Sequence, residues 1–116
     1  MNHQKVGRKF GRKKGPRASF LKGLAGNLIK KGKISTTVAR AKEIRPKVEH
    51  FVSIAKKQNL ASFRRLLASL DKVSAEKLYF EIAPKYKNKT SGFLKITRTD
   101  SFRKRDAAEI AVIEFI

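Results

Sequence analysis

No carboxylate occurs before Glu43, although the first 42 residues carry 13 Lys and Arg. A stretch that one-sided has no acid of its own to pair with. Whatever it folds into must hold its cations apart in water or against an outside anion. The rest of the 116-residue chain is uneven in a related way. Residues 43–84 are near balance, with 8 bases against 5 acids. Residues 85–105 return to excess, with 8 bases against Asp100 alone, and 106–116 hold three acids and no base. The formal net charge is +20. A small protein of this charge calls for a polyanion, and nucleic acid is the commonest one in a cell.

The charge does not preclude a fold. Hydrophobic residues make up 41% of the chain, too many for a wholly disordered polycation. The length suits one domain burying roughly two-thirds of the surface its unfolded chain exposes. With no Cys, disulfide frameworks and thiolate metal sites are excluded. No apolar run reaches the roughly 20 residues of a membrane span. Nor does the chain open on the apolar stretch of a secretory signal. Neither a membrane nor a small-molecule substrate is expected as a partner.

The basic zone begins with an extension, residues 1–15, in which Gly7, Gly11 and Gly15 recur among Arg and Lys. Glycine adds backbone freedom and like charges repel, so the extension is expected to be disordered alone and to order between phosphates. A nuclear-import-type patch or a merely solubilising tail are the alternatives. The candidate binding residues here are His3, Lys5, Arg8, Lys9, Arg12, Lys13, Lys14, Arg17 and Lys22. Phe10 and Phe20 are each able to stack on an unpaired base. Phe20 is expected in the core instead.

Residues 16–116 read as a single α+β domain, with helices packed against a small, mostly antiparallel sheet. Phe20, Leu21, Leu24, Ala25, Leu28 and Ile29 mark one helical face, and Gly32 suits the position just past its end. Lys33 to Thr36 reads as a connector or short strand. A second helical pattern runs through Val38, Ala41, Ile44, Val48, Phe51, Val52 and Ala55, with Pro46 expected to kink or break it. Asn59 caps a third, with Leu60, Phe63, Leu66, Leu67 and Leu70 as its apolar face and Arg64 and Arg65 beside it. Ser74 reads as the cap of a fourth, stapled by Val73 and Leu78 and stopped by Pro84. Residues 93–98 and 108–115 read as a strand pair joined by a basic loop over 99–106. The folded part adds Lys33, Arg40, Arg45, Lys85, Lys87, Lys89, Lys95, Arg98, Arg103, Lys104 and Arg105 to the candidate set.

Catalytic chemistry has little to work with. His3 and His50 are the only histidines, and neither has a partner at metal-ligand spacing. Glu43, Glu49, Glu76 and Glu81 are outnumbered by nearby bases and read as ion-paired, solvated faces. No serine sits in a nucleophile elbow, and the glycines of 7–15 follow no apolar strand, so they form no nucleotide loop. No enzyme activity, cofactor or metal is expected.

Met1-Asn2-His3 followed by Gly7-Arg8, Arg12 and Arg17, and then Leu24-Ala25-Gly26-Asn27-Leu28-Ile29, resemble the opening of the bacterial-type large-subunit ribosomal protein L17 family. Ile34-Ser35-Thr36-Thr37-Val38-Ala39-Arg40-Ala41-Lys42-Glu43-Ile44-Arg45-Pro46 carries the most specific likeness. Ile82-Ala83-Pro84-Lys85-Tyr86 and Asp106-Ala107-Ala108-Glu109-Ile110-Ala111 extend it nearly to the end. The chain departs from the family's pattern at Pro16, where a histidine is usual, at Lys89 to Lys95, and at Arg105, which replaces a glycine.

The resemblance implies an α+β domain with a basic extension and a structural role in the large ribosomal subunit. Its implied partners are 23S-type rRNA and neighbouring large-subunit proteins near the exit region. The implied location is cytoplasmic, with an organellar ribosome left open. A nucleoid-type, non-specific DNA-binding protein is the competing reading, and a catalytic RNA-modifying enzyme a distant third. Removing residues 1–15 is expected to leave helical content and cooperative unfolding intact but to weaken rRNA binding, as circular dichroism melts and filter binding would measure.

Overall fold

The first helix, α1 (Lys14–Lys31), starts two residues before Pro16. Proline is tolerated in a first turn because the N–H it lacks would have no helical partner there. The helix ends where expected. Gly32 takes φ +83° and donates its amide to the Leu28 carbonyl at 2.8 Å. The computed structural model describes residues 14–104 and 107–116, so the expectation of a disordered extension falls, for residues 1–13, outside the described residues.

After Gly32 comes β1 (Lys33–Thr37), the short strand of the two readings left open by the sequence. Thr37 then caps α2 (Val38–Ala55), its hydroxyl accepting the Arg40 amide at 3.3 Å. Pro46 lies inside α2 without breaking it. Arg45, Pro46 and Lys47 are all exposed, as is Lys42, whose carbonyl loses its usual partner. Water can satisfy that carbonyl, which is why the helix survives.

Asn59 caps α3 (Leu60–Ser69) as expected, in a reciprocal box with Ser62. Leu66 and Leu70 are buried, whereas Leu60 and Leu67 of the expected apolar face are exposed. Phe63 turns instead toward Tyr79 and Phe80, with ring centroids 4.9 and 5.6 Å away.

The fourth helix corrects the sequence reading. Its cap is Asp71, not Ser74, and α4 spans Lys72–Lys77. Ser74 is fully buried in the first turn, donating its hydroxyl to Asp71 at 2.7 Å and lying 3.3 Å from the Gly26 carbonyl of α1. Val73 is largely exposed and staples nothing. The chain then widens into a π-helical turn, Leu78–Ile82, and tightens into a 3₁₀ turn, Ala83–Tyr86, that contains Pro84.

The last two strands, β2 (Leu94–Phe102) and β3 (Glu109–Phe115), form the expected pair. The sheet has the order β1-β3-β2 and both pairings are antiparallel. β2 runs further than expected, because the register slips between Arg98 and Phe102 while the Thr99 hydroxyl donates to the Ile110 carbonyl at 3.0 Å. The connection expected over 99–106 is correspondingly shortened. Ala111 and Ile113 face the helices with Ile34 and Ile96, and the core joins them to Leu28, Ile44, Val48, Leu78 and Phe93. Tyr86 packs 5.2 Å from Phe93 and donates its hydroxyl to the Ile116 carbonyl at 2.7 Å. Burial raises its phenol above the ordinary value.

Two predictions concern the α1–α4 contact. A Cβ on Gly26 would lie 2.9 Å from Asp71 Oδ1 and 3.1 Å from Ser74 Oγ, whereas one on Gly23 would meet nothing within 4 Å. Gly26→Ala is therefore expected to destabilise by about 1–3 kcal/mol, and Gly23→Ala to stabilise by about 0.5–1 kcal/mol, in denaturant titrations. Burial acts to raise the Asp71 carboxyl, but the Ser74 hydroxyl and amide and the Lys30 ammonium together outweigh it and hold it below 3.8. The unfolded chain then binds the extra proton, so this contribution is whole above about pH 4 and fades as pH falls through the folded value. Asp71→Asn keeps a good capping side chain and is expected to flatten the acid limb of melting temperature against pH.

Candidate nucleic-acid interface

Which cations stand ready for an anion depends on where the acids lie. On the outer face of the sheet the register sets Glu114 between Lys33 and Lys95, and Lys95 Nζ lies 3.6 Å from the Glu114 carboxylate. Arg98 lies 3.6 Å from Glu109 across the same strand pair. Arg45 donates through Nε to Glu49 at 3.2 Å, one helical turn on. Three of the candidate cations are thus already matched to a carboxylate.

Glu49 does more than balance a charge. Its other oxygen accepts the Gly92 and Phe93 amides at 3.0 and 3.1 Å, tying the loop before β2 to α2. The ion pair expected of Glu49 is present, but the residue is not merely a solvated face, because it also binds two loop amides. Those amides are 43 and 44 residues away, and no local spacing announces them. Lys56 fixes the same loop, donating to the Lys89 carbonyl while lying 5.1 Å from the centre of the Phe93 ring.

A different environment lies along the free edge of β1. A cleft of about 430 Å³ opens between α1, β1 and the first turn of α2. Leu24, Asn27 and Lys31 reach it from one row of α1, Lys33 to Thr36 form its floor, and Arg40 stands at its edge. No carboxylate lines it. Among the described residues, none of the ion pairs involves Lys31, Lys33 or Arg40. The Arg40 guanidinium lies over the Phe20 ring, 5.0 Å from its centre. A guanidinium held over a ring keeps N–H groups that can still donate, and its planar fork suits a phosphate. Phe20 is thus half-buried and serves as a platform, not as a fully enclosed core residue.

The remaining candidates are dispersed. Arg17 is half-buried on α1 and Lys22 exposed on the same helix. Lys85 sits in the 3₁₀ turn, Lys87 and Lys89 follow it, and Arg103 and Lys104 lie at the turn between β2 and β3, all exposed. Lys14 opens α1. His3, Lys5, Arg8, Lys9, Arg12, Lys13 and Arg105 lie outside the described residues. Among the described residues the cleft brings together Lys33 and Arg40 of the set, and adds Asn27, Lys31 and Ser35, which sequence reasoning passed over. The i, i+3, i+7 spacing of Leu24, Asn27 and Lys31 was the available signal, since it aligns them on one helix row.

Among the described residues no group of His, Cys, Asp and Glu is placed to hold a metal, and no helix is long and apolar enough to cross a membrane. Fold and surface define a small α+β protein built around a cationic, acid-free cleft. The chain belongs to the ribosomal protein L17 family, whose model matches residues 20–116. It is 44% identical to the large ribosomal subunit protein bL17 of Fusobacterium nucleatum over the full length of both chains. The bL17 of Campylobacter lari is likewise 44% identical, over all of this chain and 99% of its own. That of Sphingopyxis alaskensis is 39% identical over all of this chain and 84% of its own.

Arg40→Ala is expected to lower the steepness of log affinity against log salt for an RNA homopolymer by about 1, as loss of one phosphate contact should. Arg98→Ala, already matched to Glu109, is expected to change that slope much less in the same titration.

Proposed function

We propose that the protein is a structural constituent of the large ribosomal subunit that binds and stabilises folded large-subunit rRNA through its basic extension and basic surface. The observation that carries this reading is the identity of 44% along the entire chain to a protein named for that subunit. The acid-free cleft supports it from the physical side, since cations without carboxylate neighbours are the ones a phosphate backbone can use. Recognition is by backbone and shape, as folded RNA usually demands, with arginines forming forked contacts and lysines acting as point charges.

The role is non-catalytic. It places the protein in the cytoplasm within the assembled subunit, with rRNA and adjoining large-subunit proteins as partners. The extension supplies much of the electrostatic attraction, and the α+β domain sets where it enters the RNA. If about eight phosphates are neutralised, log affinity for rRNA should fall against log salt with a slope on the order of −6 to −7. A slope near −1 would remove the polyelectrolyte mechanism. Sedimentation of lysate tests the assignment itself: the protein should travel with salt-washed large subunits. Recovery with the nucleoid instead would favour the DNA-binding reading and overturn this one.

A further inference from the structure

The cleft between α1 and β1 has a second set of groups besides its cations, and they belong to the backbone. β1 is an edge strand, paired on one side only. The Gly32 carbonyl accepts the Phe115 amide at 3.0 Å, and β1 pairs with β3 in the register Ile34↔Ile113 and Thr36↔Ala111. Antiparallel ladders alternate, so Ile34 and Thr36 exchange their bonds with β3, while the amides and carbonyls of Lys33 and Ser35 point to the free edge. That edge is the floor of the cleft. Among the described residues no backbone or side-chain hydrogen bond outside the ladder reaches those groups.

An unpaired strand edge usually invites another strand. Here the opposite wall is the Asn27–Lys31 row of α1. It offers a carboxamide that both donates and accepts, and beside it a cation. Ser35, whose hydroxyl also both donates and accepts, is one of the floor residues. Lys33 and Arg40 complete the anion-binding part. The arrangement is therefore mixed, with positive charge and an N–H for an anion next to carbonyls, a hydroxyl and an amide for a neutral hydroxyl. A phosphodiester joined to a ribose has this combination, and deoxyribose lacks the second half of it. The volume lies within the range of sites that hold a small ligand or one unit of a polymer.

We propose that this cleft seats one ribose-phosphate of an RNA strand, its phosphate held by Arg40, Lys31 and Lys33 and its 2′-hydroxyl by the Asn27 amide, the Ser35 hydroxyl and the β1 edge. It is thereby the part of the surface that distinguishes RNA from DNA. The inference rests on the RNA-binding function proposed above and adds to it a sugar-reading site. The extension and the remaining cations bind either nucleic acid, because a phosphate backbone alone carries no sugar information.

The test compares the full chain with Asn27→Ala/Ser35→Ala and with Arg40→Gln, using an RNA oligonucleotide and its deoxy counterpart of identical sequence at fixed salt. The wild type should favour the RNA. The double variant should lose RNA affinity by about five- to ten-fold, the scale of one or two hydrogen bonds, with DNA affinity unchanged. Arg40→Gln should weaken both. Both altered side chains of the double variant are exposed, and matched melting curves establish that each variant folds. An undiminished RNA preference in the double variant, or an equal loss on both nucleic acids, overturns the sugar-reading site. An extended peptide that competes with RNA for wild-type protein but not for the double variant would assign the edge to strand addition and overturn it as well. If the wild type binds RNA with the expected salt slope yet shows no preference over DNA, only this inference falls. If it fails to bind RNA or to travel with large subunits, the functional reading itself falls.

Discussion

Carboxylates are scarce in this chain, and their placement governs nearly everything else. Of the five acids ion-paired among the described residues, four also have structural work or a place on the central strand. Asp71 caps α4 and attracts Lys30 from α1 at 3.3 Å. Glu49 gathers two loop amides and Arg45. Glu114 and Glu109 sit on the central strand, where they quiet the cations of β2. A solvent-exposed pair of this kind is worth little to stability, on the order of 0–1 kcal/mol. Its larger effect is on function, because it decides which cations are already matched and which remain for an anion. Among the described residues Lys31, Lys33 and Arg40 enter no ion pair, and the cleft that they line carries that excess.

Buried polar contacts, not ion pairs, set the geometry of the helical layer. Ser74 has no exposure, yet its hydroxyl is satisfied by Asp71 and lies within reach of the Gly26 carbonyl. Closing that triangle requires α1 to approach α4 without a side chain at position 26. The same helix then presents Leu28 and Ile29 to the core and Asn27 and Lys31 to the cleft. Loss of the contact would tilt the wall on which the candidate interface depends. The protein thus couples a small stability determinant to the shape of its surface.

Local chemistry was legible in the sequence wherever a single turn decided it. Gly32 past the end of α1, Asn59 at the start of α3 and the alternation of Leu94 and Ile96 were all readable without a fold. Ser74 was misread because two competent caps stand three residues apart, and burial against α1 chose between them. Leu60 and Leu67 were misplaced for a related reason: the helical period gives a stripe, but only the neighbouring turn at Tyr79 and Phe80 determines which edge of it is covered. The candidate site was less legible still. Charge density marked the right zones, yet separating matched cations from available ones needed the register of β3 against both its neighbours. Arg40 could be named from its charge, and its place over the Phe20 ring could not. Asn27 and Ser35 carry no charge, so charge density does not mark them.

The strand order has a kinetic meaning. β3 is the third of the described strands in sequence and lies in the middle of the sheet, so β1 has no ladder partner until residues 109–115 have been made. Helices α1 to α4 depend on contacts already available by then, but β1 must wait through more than half the chain for its strand. Closing so distant a pair is an entropic bottleneck, and topologies of this kind fold more slowly than those built from near neighbours. A nascent chain would therefore carry its helices early and an unfinished β1 until residues 109–115 have emerged, so that the floor of the cleft is completed after the helical layer.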